Sequence, residues 1–255
     1  MSEASTDLKT SIACSLDADP VLTPVLDYLL QDLDMLGAVP SQIVEVLQSF
    51  GPGDGKTALD LACGKGAVTR AVAGTLGFDI TGIDAYEPFI DEAQKRAERE
   101  GLSDRCRFTC ADIRDLPGQI ETVDVVLLLS AGTVFGDAAE TAAALRRFVP
   151  PGGLMVVEDA YATQPGDPLP GYDAIAAGLT VHGDTIVSEW RGQIPEAAEF
   201  EARAVKAIER RCREMMRLYP GVAAALSKYT ATQRTEAARL GNDLIPIVWV
   251  LRRAE

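Results

Sequence analysis

Histidine is nearly missing from this chain: His182 is the only one. That excludes an imidazole-based metal centre, and no Cys-x-x-Cys pair stands in for it, so no metal site is expected. The five cysteines are scattered and odd in number, which leaves at least one unpaired and suits a reduced, cytoplasmic protein. No run of 18 apolar residues exists, so no membrane span is expected. The N-terminal residues mix Ser, Thr and Asp and lack the apolar centre of a signal peptide. Positive charge is also scarce. With 24 Lys and Arg against 38 Asp and Glu the net charge is −14, which repels nucleic acid on average. Internal repeats and low-complexity tracts are absent. Apolar residues are what the chain has: 47% of 255, enough for a substantial core without staples.

The most informative stretch is Ala58-Leu59-Asp60-Leu61-Ala62-Cys63-Gly64-Lys65-Gly66-Ala67-Val68. An apolar run reaches an acid, breaks into small residues and enters a helical pattern. A buried strand hands over to a ligand-binding loop in this way, and the bare backbone at Gly64 and Gly66 allows close approach. From there strands are expected at 57–62, 79–83, 105–110, 122–129 and 153–158, with helices at 67–76, 88–100 and 137–149. Asp91 to Lys95 and Glu92 to Arg96 mark a solvated helix face. Such alternation predicts a parallel sheet covered on both faces.

The loop resembles the first motif of class I S-adenosylmethionine-dependent methyltransferases, Asp-Leu-(Gly/Ala)-Cys-Gly-x-Gly. The rest of that family's series follows in order: Ile80-Thr81-Gly82-Ile83-Asp84, Phe108-Thr109-Cys110-Ala111-Asp112-Ile113, Val123 to Leu129, and Phe148 to Val157. The resemblance spans about residues 55 to 160. It implies a Rossmann-like three-layer α/β sandwich with a mostly parallel seven-stranded sheet, the last strand antiparallel beside the fifth. It implies S-adenosyl-L-methionine as cofactor. Gly64 and Gly66, with Ala62 and Cys63, would line the methionine portion. Asp84 would accept the ribose hydroxyls, and Ala85 beside it is a further cofactor-binding candidate. Asp112 would accept from the adenine amino group while Ile113 packs the ring, and Asp60 would support the loop and the ammonium end. Ser130 would sit near the sulfonium. Taken singly, each acid also reads as a capping or turn residue.

Rival motifs fail on register. A nicotinamide site needs Gly-x-Gly-x-x-Gly, but Gly64 and Gly66 are followed by Thr69. A phosphate loop ending in Gly55-Lys56-Thr57 would need glycine where Phe50 stands, and it precedes a strand instead of following one. No Asn/Asp-Pro-Pro-Tyr/Phe follows the fourth strand, which argues against base methylation, and Ser130 replaces the acid of metal-dependent relatives.

The flanks are less specific. Residues 1–18 read as a flexible leader. Asp19 and Pro20 open a helix whose leucines, Leu22, Leu26, Leu29, Leu33 and Leu36, share one face up to Gly37. A second helix follows near 42–50, so 19–53 reads as a helical cap. The segment 54–255 reads as the cofactor-binding domain. It has a substrate-side helical insertion at about 160–240, with helices at 172–178, 195–218 and 222–240, a strand at 185–190, and a last strand at 245–251. Cap and insertion should roof the site. Glu158, Asp159 and Tyr161, leaving the fifth strand, and His182 are candidates for the substrate side, though each also reads as a solvated turn residue. Arg210, Arg211, Arg213 and Arg217 read as a solvated helix face. No catalytic residue is assigned, because in-line transfer can run on alignment alone. The expected function is methyl transfer to a small molecule. A non-catalytic cofactor-binding protein and a protein or RNA methyltransferase are the alternatives.

Overall fold

Two apolar runs sit at the middle of the sheet because neither has a face to give to water. β1 (Thr57–Leu61) is buried from Ala58 onward and β4 (Val125–Leu129) is buried throughout. The computed structural model describes residues 3–116, 121–192 and 195–255. The remaining strands are β2 (Asp79–Asp84), β3 (Cys106–Cys110), β5 (Leu154–Ala162), β6 (Thr185–Arg191) and β7 (Leu244–Arg252). Their order is β3-β2-β1-β4-β5-β7-β6. The pairs β3–β2, β2–β1, β1–β4 and β4–β5 are parallel. β7 runs antiparallel to β6, and at its end Arg253 exchanges backbone hydrogen bonds with Gly152 and Gly153, before the start of β5. This is the seven-stranded sheet, with the last strand inserted beside the fifth, that the sequence leads one to expect.

The helices are α1 (Glu3–Ser15), α2 (Leu26–Leu29), α3 (Pro40–Gln48), α4 (Ala67–Leu76), α5 (Glu87–Arg99), α6 (Ala138–Leu145), α7 (Tyr172–Thr180), α8 (Pro195–Leu218) and α9 (Ala223–Arg239). Strand alternation divides their packing. Val125, Leu127 and Leu129 join Val46, Val72 and Ala97 of α3, α4 and α5 in one core layer. Val126 and Leu128 join Leu145 of α6 and Leu179 of α7 in the other. A capping box at Asp137 and Glu140 starts α6, satisfying end N–H groups that the helix itself cannot.

The chain divides into two units, and the division departs from the expected boundaries. The sheet unit is Met35–Gly192 with Ile245–Glu255; the other is Met1–Asp34 with Gln193–Leu244. The expected cap, 19–53, is thus split, and α3 belongs with the sheet. The expected leader is helical from Glu3 to Ser15. The long helix expected from Pro20 to Leu36 does not form. Pro20–Val25 is a 3-10 helix and α2 is one turn long. Pro24, inside the first of these, has no N–H to donate, and its ring disfavours a continuous α-helix. The leucine spacing still reports burial: Leu22, Leu26 and Leu29 are all at 0% exposure.

In this second unit α8 buries Ala204, Ile208, Cys212 and Met215, and α9 buries Leu226 and Tyr229. The arginines read as a solvated face are partly structural. Arg211 holds both oxygens of Asp32 at 2.6 and 2.7 Å, and Arg210 reaches the same carboxylate at 2.7 Å. These guanidinium groups, Arg211 foremost, hold the Asp32 carboxyl far below the usual range.

Candidate functional site

Strand order reverses between β1 and β4, and in a doubly wound sheet ligands bind beyond the strand ends at such a point. Both strands leave the sheet through strained backbone. Ala62 follows β1 at φ 58° and Ser130 follows β4 at φ 50°, a region that residues with a Cβ seldom occupy. Together they turn two chain segments sharply outward from neighbouring strand ends. A small recess of about 40 Å3 lies there, lined by Asp60, Ala62, Cys63, Gly64 and Lys65 on one side and by 35–38 on the other.

Asp84, at the end of β2, is the hub of the loop. Its Oδ2 accepts the Gly64 N–H and its Oδ1 accepts the Tyr86 N–H, each at 2.9 Å. The Ala85 N–H acts on the same carboxylate. Asp60 is buried, and its Oδ2 accepts the Thr69 hydroxyl at 2.5 Å, which ties the strand end to α4. Burial raises the carboxyl of Asp60 to about 7, with Asp84 adding to the effect. Burial likewise raises Asp84. Neither acid is ion-paired among the described residues. Lys65, in the same loop, is buried with its ammonium on Glu92 Oε2 at 2.9 Å. Two desolvated acids without a counter-charge make a place suited to a cation.

Cys63 is held by its N–H to the Ile83 carbonyl at 3.0 Å. Burial, then Asp60 and Asp84, push its thiol well up, so it is no thiolate nucleophile. Gly66 serves packing more than ligand approach. It caps α4 at φ 68°, and a Cβ there would lie 2.6 Å from Phe108. Gly64 lines the recess and Gly66 does not. Asp112 is not free for a single ligand contact. Both its oxygens face the Arg114 guanidinium, at 3.0 and 2.6 Å, which lowers its carboxyl. Ile113 is buried against the core rather than presented to solvent, and the Ala85 carbonyl faces Cys110 Sγ at 3.6 Å.

On the expected substrate side, Ser130 is exposed and its hydroxyl donates to Glu158, while its N–H donates to the Glu158 carbonyl at 2.9 Å. Asp159 is solvent-accessible, and its surroundings raise its carboxyl. Tyr161 packs edge-on against Tyr172 with ring centres 5.6 Å apart. His182 is exposed, with Nε2 3.2 Å from the Ala139 carbonyl oxygen, and it does not line the recess at β1. A turn residue is what the structure shows there.

The segment 35–38 was missed by reading the sequence. A Cβ at Gly37 would stand 2.5 Å from Ser130 Cβ, and one at Gly64 would stand 3.3 Å from Leu36. Leu36 and Gly37 therefore lie directly against the two strand-end turns. The only local signal was Gly37 itself, which reads equally as a helix stop.

Residues 58–153 match the family model described as a methyltransferase domain. A ubiquinone biosynthesis O-methyltransferase of Cereibacter sphaeroides is 37% identical over 105 residues, covering 41% of this chain and 41% of its own. A sterol 24-C-methyltransferase of Gibberella zeae is 33% identical over 104 residues, covering 40% of this chain and 27% of its own. The chain thus spans less than half the length of either relative. Among solved structures, a SAM-dependent methyltransferase of Geobacter sulfurreducens in complex with S-adenosyl-L-homocysteine superposes with a TM-score of 0.75 at 19% identity, over 90% of this chain and 98% of that one. The motif series, the sheet order and the match to the methyltransferase-domain model thus all fall on one segment, residues 58–153, and the fold is that of the solved methyltransferase structure.

Proposed function

We infer that the protein transfers a methyl group from S-adenosyl-L-methionine to a small-molecule acceptor. The observation that carries this reading is the pair of desolvated acids, Asp60 and Asp84, at the switch point with no cation paired to either among the described residues. The cofactor brings positive charge and vicinal hydroxyls, and both fit that donor set. When bound, it would supply a sulfonium-activated methyl carbon open to in-line attack by an acceptor lone pair, with the thioether sulfur leaving with the electron pair of the broken bond.

The chain's own residues bind and orient. Asp84 is the acceptor for ribose hydroxyls, beside the backbone N–H groups that already orient it. Asp60 faces the ammonium end and keeps the loop tied to α4 through Thr69. Asp112, whose two oxygens the Arg114 backbone and guanidinium occupy, is left out of this set. Leu36 and Gly37, packed on the two strand-end turns, limit water there. Cys63, with its raised thiol, offers no covalent route, so alignment supplies the rate. The acidic balance of −14 and the absence of a base-methylation motif favour a small acceptor over nucleic acid. The two curated relatives are named for sterol and ubiquinone-pathway methylation, which points the same way.

Calorimetric titration with S-adenosylmethionine, S-adenosylhomocysteine and NAD tests the reading. Binding of both adenosyl ligands without NAD is the expected result. NAD binding, or no adenosyl binding, sinks it. Adenosyl binding without turnover across an acceptor screen would favour a non-catalytic member.

A further inference from the structure

A cavity of about 380 Å3, within the size range of ligand pockets, lies at the carboxyl ends of β4 and β5, on the face covered by α6 and α7. Leu128, Val157, Ile175 and Leu179 give it apolar walls. It reaches Ala131, the residue after the strained Ser130. Its charged lining is of one sign: Asp137, Glu158 and Asp159 line it, and no lysine, arginine or histidine does.

Asp159 is the acid that strand alternation turns to this face. Successive side chains of β5 point to opposite sides of the sheet, and Met155, Val157 and Tyr161 all pack into the core layer of α6 and α7. Asp159 falls in the same row, between Val157 and Tyr161, and keeps solvent-accessible surface there. Among the described residues it has no ion pair; its carboxylate takes the N–H of its neighbour Ala160 at 2.7 Å. The protein atoms around it raise its carboxyl, the condition of an acid inside a concavity rather than on an open face. The other two acids are engaged, Glu158 with the Ser130 hydroxyl and Asp137 with the N–H groups of Ala139 and Glu140. That cap on α6, and Asp173 in the first turn of α7, offset the two helix ends that would otherwise suit an anion.

We propose that this cavity binds the methyl acceptor, a protonated amine with an apolar body, its ammonium on the Asp159 carboxylate and its body between the apolar walls. The assignment of the occupant as acceptor rests on the methyl-transfer reading above. Charge complementarity selects a cation, and the walls select an organic one. A metal ion needs several ligands, and no group of three or more candidate ligands stands together among the described residues. Asp159 is then a binding residue that anchors the acceptor by charge, while the reach of the cavity to Ala131 leaves its other end beside the β4 turn.

Three probes matched in shape separate the charge from apolar burial: 2-naphthylmethylamine, 2-naphthalenemethanol and 2-naphthoate. In calorimetry at about pH 8 the wild-type chain should bind the amine about tenfold more tightly than the alcohol, and the carboxylate more weakly than either. Asp159→Asn should bring amine and alcohol to within about twofold of each other. It alters the overall charge of −14 by a single unit, so a lost preference reports the local carboxylate and not the long-range field. Ala174→Phe, at a lining position of α7 exposed to solvent, should weaken amine and alcohol alike. Cooperative thermal unfolding of both variants reports that they fold. Equal affinities for amine and alcohol in the wild type, no binding of either, or an amine preference that survives Asp159→Asn overturns the inference alone. Failure of the wild type to bind S-adenosylhomocysteine overturns the methyl-transfer reading, and the acceptor assignment with it, whatever the amine does.

Discussion

Asp84 carries two backbone N–H groups and is assigned two ribose hydroxyls, so its removal acts twice. Asp84→Ala should weaken S-adenosylhomocysteine binding by about 1.5–3 kcal/mol, the range for a lost charged acceptor; unchanged affinity in calorimetry would refute the role. Asp60 makes a separate, proton-linked prediction. Its carboxyl is raised by burial to about 7, so near that pH the free protein holds the proton part of the time. A cation arriving beside it favours the carboxylate, and S-adenosylmethionine binding should release protons near neutral pH. Titrations in buffers of different ionisation enthalpy would show this as a buffer-dependent heat that Asp60→Asn removes. Stability is linked with a definite sign. A carboxyl whose folded pKa lies above its unfolded one adds stability below the unfolded pKa near 4 and loses it as pH rises through about 7. Glu236, raised to about 7 by burial and then by Asp17, acts in the same direction. The melting temperature of the free protein should therefore fall between pH 5 and 8, and Asp60→Asn should flatten part of that slope while Glu236→Gln flattens another. Asp60 was legible in the sequence as a motif acid. Its raised carboxyl was not, because desolvation depends on what packs around a strand end.

At the scale of elements, the loop at β1 is held by an ion pair between a buried lysine and a half-buried glutamate. Lys65 is 1% exposed in its side chain and meets Glu92 of α5, which also receives Arg96. In sequence, Glu92 and Arg96 read as a solvated i,i+4 pair, and only the approach of the loop to α5 turns Glu92 into a partner for Lys65. Glu92→Gln would take one carboxylate from a buried ammonium, and should lower stability by on the order of 2 kcal/mol. Denaturant unfolding of that variant, and of Lys65→Met with Glu92→Gln together, decides the matter. The double variant should recover much of the loss; equal loss in both would mean the charge is not the cause. The elements themselves were readable where one chemistry dominates. β4 has no polar residue, and α8 runs from Pro195 to Leu218 as its apolar spacing predicts. Reading failed at 20–36, where leucine spacing argued for a helix and one proline argued against it. It also failed for α1, because a polar stretch with little periodicity gives no helix signal before its packing is known.

For the whole molecule, the charge of −14 sets the long-range field. S-adenosylmethionine carries a net positive charge and S-adenosylhomocysteine carries none, so screening should affect them unequally. Raising salt from about 50 to about 500 mM should weaken the methylated ligand several-fold relative to the other, as the Debye length contracts from roughly 13 to 4 Å. Equal salt dependence would show that the field plays no part in cofactor choice. No described helix is long and apolar enough to cross a membrane. The sequence by itself determined the alternation of strands and helices from 57 to 158 and the three acids at strand ends, and its family resemblance implied the seven-stranded sheet, because periodicity, breakers and motif spacing are local properties of the chain. Tertiary structure alone decided which of those acids lies without a counter-charge, that Gly66 makes room for Phe108, that Leu36 and Gly37 press on the strand-end turns, and that Asp159 lines an apolar cavity. Each of these depends on which distant atoms are excluded or brought near, and no spacing along a chain records that.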